Sequence, residues 1–268
     1  MNGTTRKRIG VAGFGYIGRH LCDAILGNPD WGLDLAWVWN RDPARLASLP
    51  EAVRLIDLKQ SATRGADLVV ECAHPDVSAH HGAAFLAHAD YLPLSVNALA
   101  NPDIEARLVE AAARSGQRLL IPHGALIGLD NLVEMKTMWR SVSITFRKHP
   151  NNIDFADSCF DRASITTVTT LYDGPVRGIA RLFPRNVNTM TTCALATTGL
   201  DHCRGILIAD PSLDVAIAEV HAEGHDGSIH ASRKVQPVVG VSGTEMLAAQ
   251  IGSLQRAAGV TLPGVSFV

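Results

Sequence analysis

The stretch Arg8-Ile-Gly-Val-Ala-Gly-Phe-Gly-Tyr-Ile-Gly-Arg-His-Leu21 constrains what this chain can fold into more than any other. Ile9 to Ala12 read as a buried strand. Gly13-Phe14-Gly15-Tyr16-Ile17-Gly18 follow as a turn, and Leu21, Ile25 and Leu26 then fall at helical spacing. Strand, glycine turn and helix in that order form a unit suited to a dinucleotide. Gly13 permits the tight turn, Gly15 lets a pyrophosphate approach the backbone, and Gly18 lets helix and strand pack closely. The helix start adds unpaired N–H groups and the positive end of its dipole.

The pattern continues as alternating strands and helices. Leu33 to Trp39, Ala66 to Ala73, Tyr91 to Val96 and Gln117 to Ile121 read as strands; Val77 to Leu86 and Ile104 to Arg114 read as helices. This alternation predicts a Rossmann-type, doubly wound parallel sheet with ligands at the carboxyl ends of its strands. Ala73, His74, Ser95, Asn97, His123 and Ala125 then line one crevice. The second strand ends in Asn40-Arg41-Asp42, where an acidic residue would select NAD through the ribose 2′-hydroxyl. A neutral Asn40 followed by Arg41 leans the reading to NADP, Asp42 keeps NAD open, and the stretch also reads as a plain polar turn.

From about Leu129 the pattern changes. Val142 to Arg147 and Ser164 to Tyr172 alternate apolar and polar residues, as half-exposed antiparallel strands do. Asn188 to Thr198 reads as a buried helix, and Gly205 to Ala209 and Val215 to Glu223 as strands. The expected organisation is a dinucleotide-binding domain over residues 1–128 and an α+β substrate and dimerisation domain over 129–242. The latter has an open, largely antiparallel sheet, and a terminal helix at 243–258 packs back on the first domain.

Composition removes several function classes. A formal net charge of −2 argues against nucleic-acid and membrane-surface partners, and no apolar run is long enough to cross a bilayer. Five cysteines, an odd count without metal-ligand spacing, read as free thiols in a reducing cytoplasm and give no metal site.

Three stretches carry a resemblance to a known family: Ile121-Pro-His-Gly-Ala-Leu-Ile-Gly-Leu-Asp130, Leu182-Phe-Pro-Arg-Asn-Val-Asn188 and Ile208-Ala-Asp-Pro211. Together they resemble the L-aspartate dehydrogenases. Leu171-Tyr-Asp-Gly-Pro-Val-Arg-Gly178 with Pro184 to Met190 is closer to the animal-type aspartate dehydrogenase domain-containing proteins. The resemblance implies a homodimer that interconverts L-aspartate and iminosuccinate with NAD(P); the imine hydrolyses to oxaloacetate and ammonia and in bacteria can feed NAD biosynthesis. It also implies that Ala125 and Asn188 contact the nicotinamide half of the cofactor.

The chain departs from the family pattern at the catalytic position. The interval after Asp210-Pro211 places Ala216 where the family has an asparagine and Ala218 where it has its catalytic histidine. Asn97 and His123 replace a glycine and a serine. His221 cannot simply substitute, because on a strand Ala218 and Val220 share one face and Glu219 and His221 the other. His225 and His230 read as loop residues. His123 is the first candidate for a relocated acid or base, with a loop hydrogen bond as its alternative role. Arg185 is the favoured cation for a dicarboxylate, ahead of Arg147, Lys148 and Arg181. Three functions remain: the aspartate-type dehydrogenase, running better towards reduction; an NADPH-dependent reductase of another imine or carbonyl compound; and a catalytically impaired cofactor-binding homologue.

Overall fold

The computed structural model of the chain describes residues 6–239, 242–243 and 245–261. They form two compact units. One comprises the chain up to Ala98, Pro102–Pro122 and the segment from Leu247 on; the other comprises Leu99–Asn101 and His123–Met246. Apart from Leu99–Asn101, the chain passes from the first unit to the second between Pro122 and His123.

In the first unit the elements run β1 (Lys7–Ala12), α1 (Tyr16–Gly27), β2 (Leu33–Trp39), β3 (Arg54–Leu55), β4 (Leu68–Glu71), α2 (Pro75–Leu86), β5 (Asp90–Pro93) and α3 (Pro102–Ser115). The strands pair in the order β3-β2-β1-β4-β5, all parallel. This is the Rossmann-type doubly wound sheet, with its switch point between β1 and β4. Ile9, Val11, Leu68 and Val70 are buried on the central strands, as parallel strands require. Leu21, Cys22 and Ile25 place α1 on them, and Leu254 and Ala257 of the terminal helix Met246–Ala258 join the same core. The stretch Gln117 to Ile121 is not a full strand. It makes one bridge, Leu119 to Tyr91, and at Arg118 the N–H goes to the Asp90 carboxylate at 2.8 Å instead of a ladder carbonyl.

The second unit contains α4 (Leu129–Glu134), β6 (Trp139–Lys148), β7 (Thr169–Pro175), α5 (Val176–Leu182), α6 (Asn188–Ala196), β8 (Arg204–Ala209), β9 (Ala216–Gly224) and β10 (Ile229–Gln236). Its sheet has the order β10-β9-β6-β8-β7, antiparallel except between β6 and β8. Val142, Ile144 and Phe146 project from β6 into a core shared with Ile179, Met190, Cys193 and Phe183. The expected strand from Ser164 starts only at Thr169, because Asp161 caps a 3-10 turn over Arg162–Ser164. Strand β10, which carries His230, replaces the loop read there from the sequence.

Phe183 is fully buried and meets Phe155 edge to face at 6.2 Å. Phe183→Ala is expected to destabilise the second unit by about 3–5 kcal/mol. Urea denaturation checks this, and a loss under about 1 kcal/mol would remove the ring from the core's main supports.

Candidate active site

The nucleotide half is built by the turn after β1. Gly13 has φ +125°, and a side chain there would lie 2.8 Å from the backbone of Cys72. A Cβ on Gly18 would collide with the Gly13 carbonyl oxygen, so α1 starts as close to β1 as the backbone allows. The Cys72 thiol donates to that same carbonyl at 3.2 Å. Gly15 sits at the cap of α1 with open space over its Cα; no side chain caps the helix and no acidic residue occupies its first turn. Uncapped N–H groups, an unneutralised helix dipole and an unfilled approach fit a dinucleotide pyrophosphate. Of the remaining turn residues, Phe14 is buried in the core with Arg19 over its ring at 5.3 Å, Ile17 packs against that core, and Tyr16 is exposed.

Two further loops meet on Glu71, the last residue of β4. Its carboxylate accepts the Ala73 N–H at 2.6 Å, the Ser95 N–H at 3.1 Å and the Ser95 hydroxyl at 3.1 Å. One fully buried carboxylate thus ties the loop after β4 to the loop after β5. Sequence reasoning placed Ala73, His74, Ser95 and Asn97 at these strand ends but passed over Glu71; the signal was a single carboxylate closing an apolar run. The His74 ring is spent on α2, where Nδ1 accepts the Asp76 N–H at 3.3 Å, and Asn97 is buried. At the end of β2, Asn40 Oδ1 accepts the Asp42 N–H and Asp42 accepts the Ala44 N–H. Asp42 is therefore engaged in the turn, while Arg41 is exposed and, among the described residues, has no hydrogen-bond or ion-pair partner.

In the second unit, Gly124 lies beside Thr189 of α6, which brings the loop carrying His123 and Ala125 to the helix start carrying Asn188. Lys234 of β10 donates to the Ala125 carbonyl at 2.9 Å and pairs with Glu245. Strand register sets Lys234 opposite Ala218, and Ala218 packs against the core face. Ala218 is thereby one strand away from the residue that holds Ala125. His123 Nε2 lies 3.4 Å from the Asp130 carboxylate. His221 is exposed on the opposite face. His230 is not in a loop: it sits on β10, its ring 6.3 Å from Trp139 and packed under Gly128. Arg185 is 73% exposed and bound to Asp154 at 3.2 Å, Arg147 is bound to Asp210, and Arg181 is exposed.

Burial pushes the Glu71 carboxyl up to about 7, against the three hydrogen bonds and the His74 backbone, which pull it down. The folded chain keeps that proton to about pH 7, whereas an ordinary glutamate releases it near 4.5. The associated stability is complete below pH 4.5 and is lost as pH rises to 7. Glu71→Gln is expected to remove a pH-dependent difference on the order of 3 kcal/mol between pH 4.5 and 7, read by urea denaturation across that range. Equal pH slopes for both proteins would overturn the assignment. Glu71→Ala, which frees both loops, is expected to weaken NADPH binding at least ~10-fold by fluorescence titration.

Among the described residues no group of histidine, cysteine and acidic side chains could hold a metal ion, and no helix is long and apolar enough to cross a membrane. All five cysteines are free thiols. Comparison with known proteins agrees with this layout. The family model described as "Homoserine dehydrogenase, NAD binding domain" matches residues 13–122, and "Aspartate dehydrogenase, C-terminal" matches residues 130–255. The aspartate dehydrogenase domain-containing protein of Xenopus tropicalis is 36% identical over 250 residues, covering 87% of this chain and 88% of that protein. The L-aspartate dehydrogenase of Ralstonia pickettii is 32% identical over 265 residues, covering 96% and 98%. The crystal structure of aspartate dehydrogenase from Thermotoga maritima superposes with a TM-score of 0.72 at 22% identity, covering 98% of this chain and 99% of that one, and so shares the fold. With a glycine-turn nucleotide unit followed by this mixed sheet, and with relatives of that identity over most of its length, the chain belongs to the aspartate dehydrogenase family.

Proposed function

We propose that the chain is an NAD(P)-dependent oxidoreductase acting on an amino-acid donor, interconverting L-aspartate with iminosuccinate and hence oxaloacetate plus ammonia. The observation that carries this reading is the α1 start over Gly13 to Gly18, uncapped and open, in a chain of this family. When bound there, the nicotinamide cofactor supplies or accepts the hydride. Gly13 to Gly18 would hold its pyrophosphate, while Ala73, His74, Ser95 and Asn97 would line its path. Ala125 and Asn188 would meet the nicotinamide half, with Lys234 fixing the Ala125 loop through its carbonyl. His123, oriented by Asp130, would reach the substrate, and Arg185 would need to leave Asp154 to grip a carboxylate. Asn40 and the exposed Arg41 favour the 2′-phosphate of NADP over NAD. The protein would work as a cytoplasmic homodimer.

Alanine at 218 favours reduction over oxidation, since ammonia and a keto acid form an imine without help from the protein. The same alanine supports a second reading, an NADPH-dependent reductase of a different imine or carbonyl compound.

Purified protein is expected to oxidise NADPH only when oxaloacetate and ammonium are both present. Turnover with other keto acids or cyclic imines, and none with that pair, would move the assignment to the second reading. NADPH binding without turnover across the panel would leave a cofactor-binding homologue. Ala218→His is expected to raise aspartate oxidation at least ~10-fold, within the span of general base catalysis; an unchanged rate would show that the imidazole is not what limits the site. Arg41→Ala should weaken NADPH at least ~10-fold more than NADH, as loss of a charge-assisted phosphate contact would, and equal effects on both would end the NADP lean.

A further inference from the structure

The chain between β6 and β7, residues 149–168, forms no strand or α-helix, yet its shape is fixed by its own side chains. His149 caps the 3-10 turn Pro150–Asn152, its Nδ1 accepting the Asn151 N–H at 3.0 Å. Asp161 caps the turn Arg162–Ser164 in the same way, accepting the Ala163 N–H at 3.0 Å. Between the turns, the Asp154 carboxylate accepts from Arg185 at 3.2 Å and from the Ala156 N–H at 3.1 Å. The Asp154 N–H donates to Asn186 Oδ1 at 3.0 Å, and Phe155 is buried against Phe183.

The two turns border a cleft of about 700 Å³ that lies wholly within the second unit. Sites for small molecules occupy about 300–1,000 Å³, so the cleft has the size of one. Pro150, Phe155, Phe160, Ile165 and Pro211 give it an apolar wall. None of the residues assigned above to the cofactor or to aspartate lines it.

Two charges at the cleft are available. The Arg162 guanidinium lies 5.7 Å from the centre of the Phe155 ring and donates to the Ile153 carbonyl at 3.4 Å. Ring and carbonyl orient the group without neutralising it. Asp161 spends one carboxylate oxygen on the Ala163 N–H. Among the described residues its other oxygen has no partner, Arg162 meets no carboxylate, and the two neighbours do not pair with each other. Arg140, Arg204 and Arg233 of the same unit each meet a carboxylate, so open charges are not the rule on this surface.

A free cation and a free anion beside an apolar wall complement a zwitterion that carries an apolar group. We propose that this cleft binds a free α-amino acid with a large apolar or aromatic side chain, its carboxylate on Arg162 and its ammonium on Asp161. A guanidinium can hold a carboxylate by two parallel hydrogen bonds. The side chain of the ligand then covers Phe160 and Ile165, and its apolar area supplies the rest of the affinity. A dicarboxylic amino acid is a poor match, because Arg162 is the one arginine or lysine of the cleft and its second acid, Asp154, would repel the extra carboxylate. With Nδ1 accepting, His149 keeps its ring proton on Nε2 and offers a neutral donor.

Calorimetric titration of the purified full chain with L-phenylalanine and with L-leucine, without NADPH, tests the proposal. At least one is expected to bind at one site per chain with a Kd of ~1 mM or tighter. The analogue lacking the ammonium group (3-phenylpropionate or 4-methylpentanoate) and the one lacking the carboxylate (phenethylamine or isoamylamine) should each bind at least ~10-fold more weakly than the parent amino acid. Arg162→Ala and Asp161→Asn, the latter retaining the oxygen that caps the turn, should each weaken binding at least ~10-fold. Both are surface changes and should keep the wild-type Tm within about 2 °C. No binding of either amino acid up to about 10 mM overturns the proposal. So does binding that both variants retain within about twofold, which would put the ligand elsewhere on the chain. Analogues that bind as tightly as the amino acid overturn it even if neither variant folds. L-Aspartate bound as tightly by the wild type and lost in Arg162→Ala would make the cleft a dicarboxylate site, which also overturns it. A chain without dehydrogenase activity can pass these measurements and an active one can fail them, so the two readings are separable.

Discussion

The contact on which the nucleotide unit depends is between Gly18 and the carbonyl of Gly13. No side chain fits between them, so α1 leaves the sheet directly over the end of β1. Gly13 in turn rests against the Cys72 backbone, which locks the glycine turn to the end of β4 across the switch point. Removing space at these two positions is what leaves it at Gly15, where the helix start stands open. Glu71 extends the same logic one strand further, because its carboxylate draws the loops after β4 and β5 to a single point. A buried carboxylate is an expensive way to join two loops. Its presence at the ligand-facing end of a parallel sheet fits a requirement for fixed geometry there rather than for stability.

This half could be read from the amino-acid order because its constraints are local. Glycine spacing, a strand of apolar residues and a helical stripe all lie within some twenty positions of one another, and Leu33–Trp39 was bounded correctly for the same reason. Gln117 to Ile121 misled because its alternation suits a strand, yet Asp90 takes the Arg118 N–H that would have continued the ladder. Strand β10 escaped because its pattern is inverted. Ile229, Ala231 and Val235 face outward, while the row turned to the covering loop is His230, Ser232, Lys234 and Gln236. A polar row on the covered side carries no hydrophobic period for sequence reasoning to detect.

That inversion also explains why the substrate half was obscure. Lys148, Ala216, Ala218 and Lys234 come from three strands separated by long stretches of chain, and only the pairing register makes them neighbours. The resemblance to the family identified the vacant histidine position but named no neighbour for it. A search for a replacement among histidines then favoured His123, since histidine is the residue whose ordinary pKa suits proton transfer.

The polar row of β10 fixes a loop of the second unit through one of its lysines. A catalytic imidazole must be both placed and titratable, and hydrogen bonds that place it also bias its proton. Here Lys234, held by Glu245 and the Ala125 carbonyl, supports the loop. Lys148, at the end of the apolar row of β6, lies over the Phe146 ring at 5.3 Å. Lys234 thus supports the Ala125 loop from a strand whose covered row is polar, which is why the amino-acid order did not announce it.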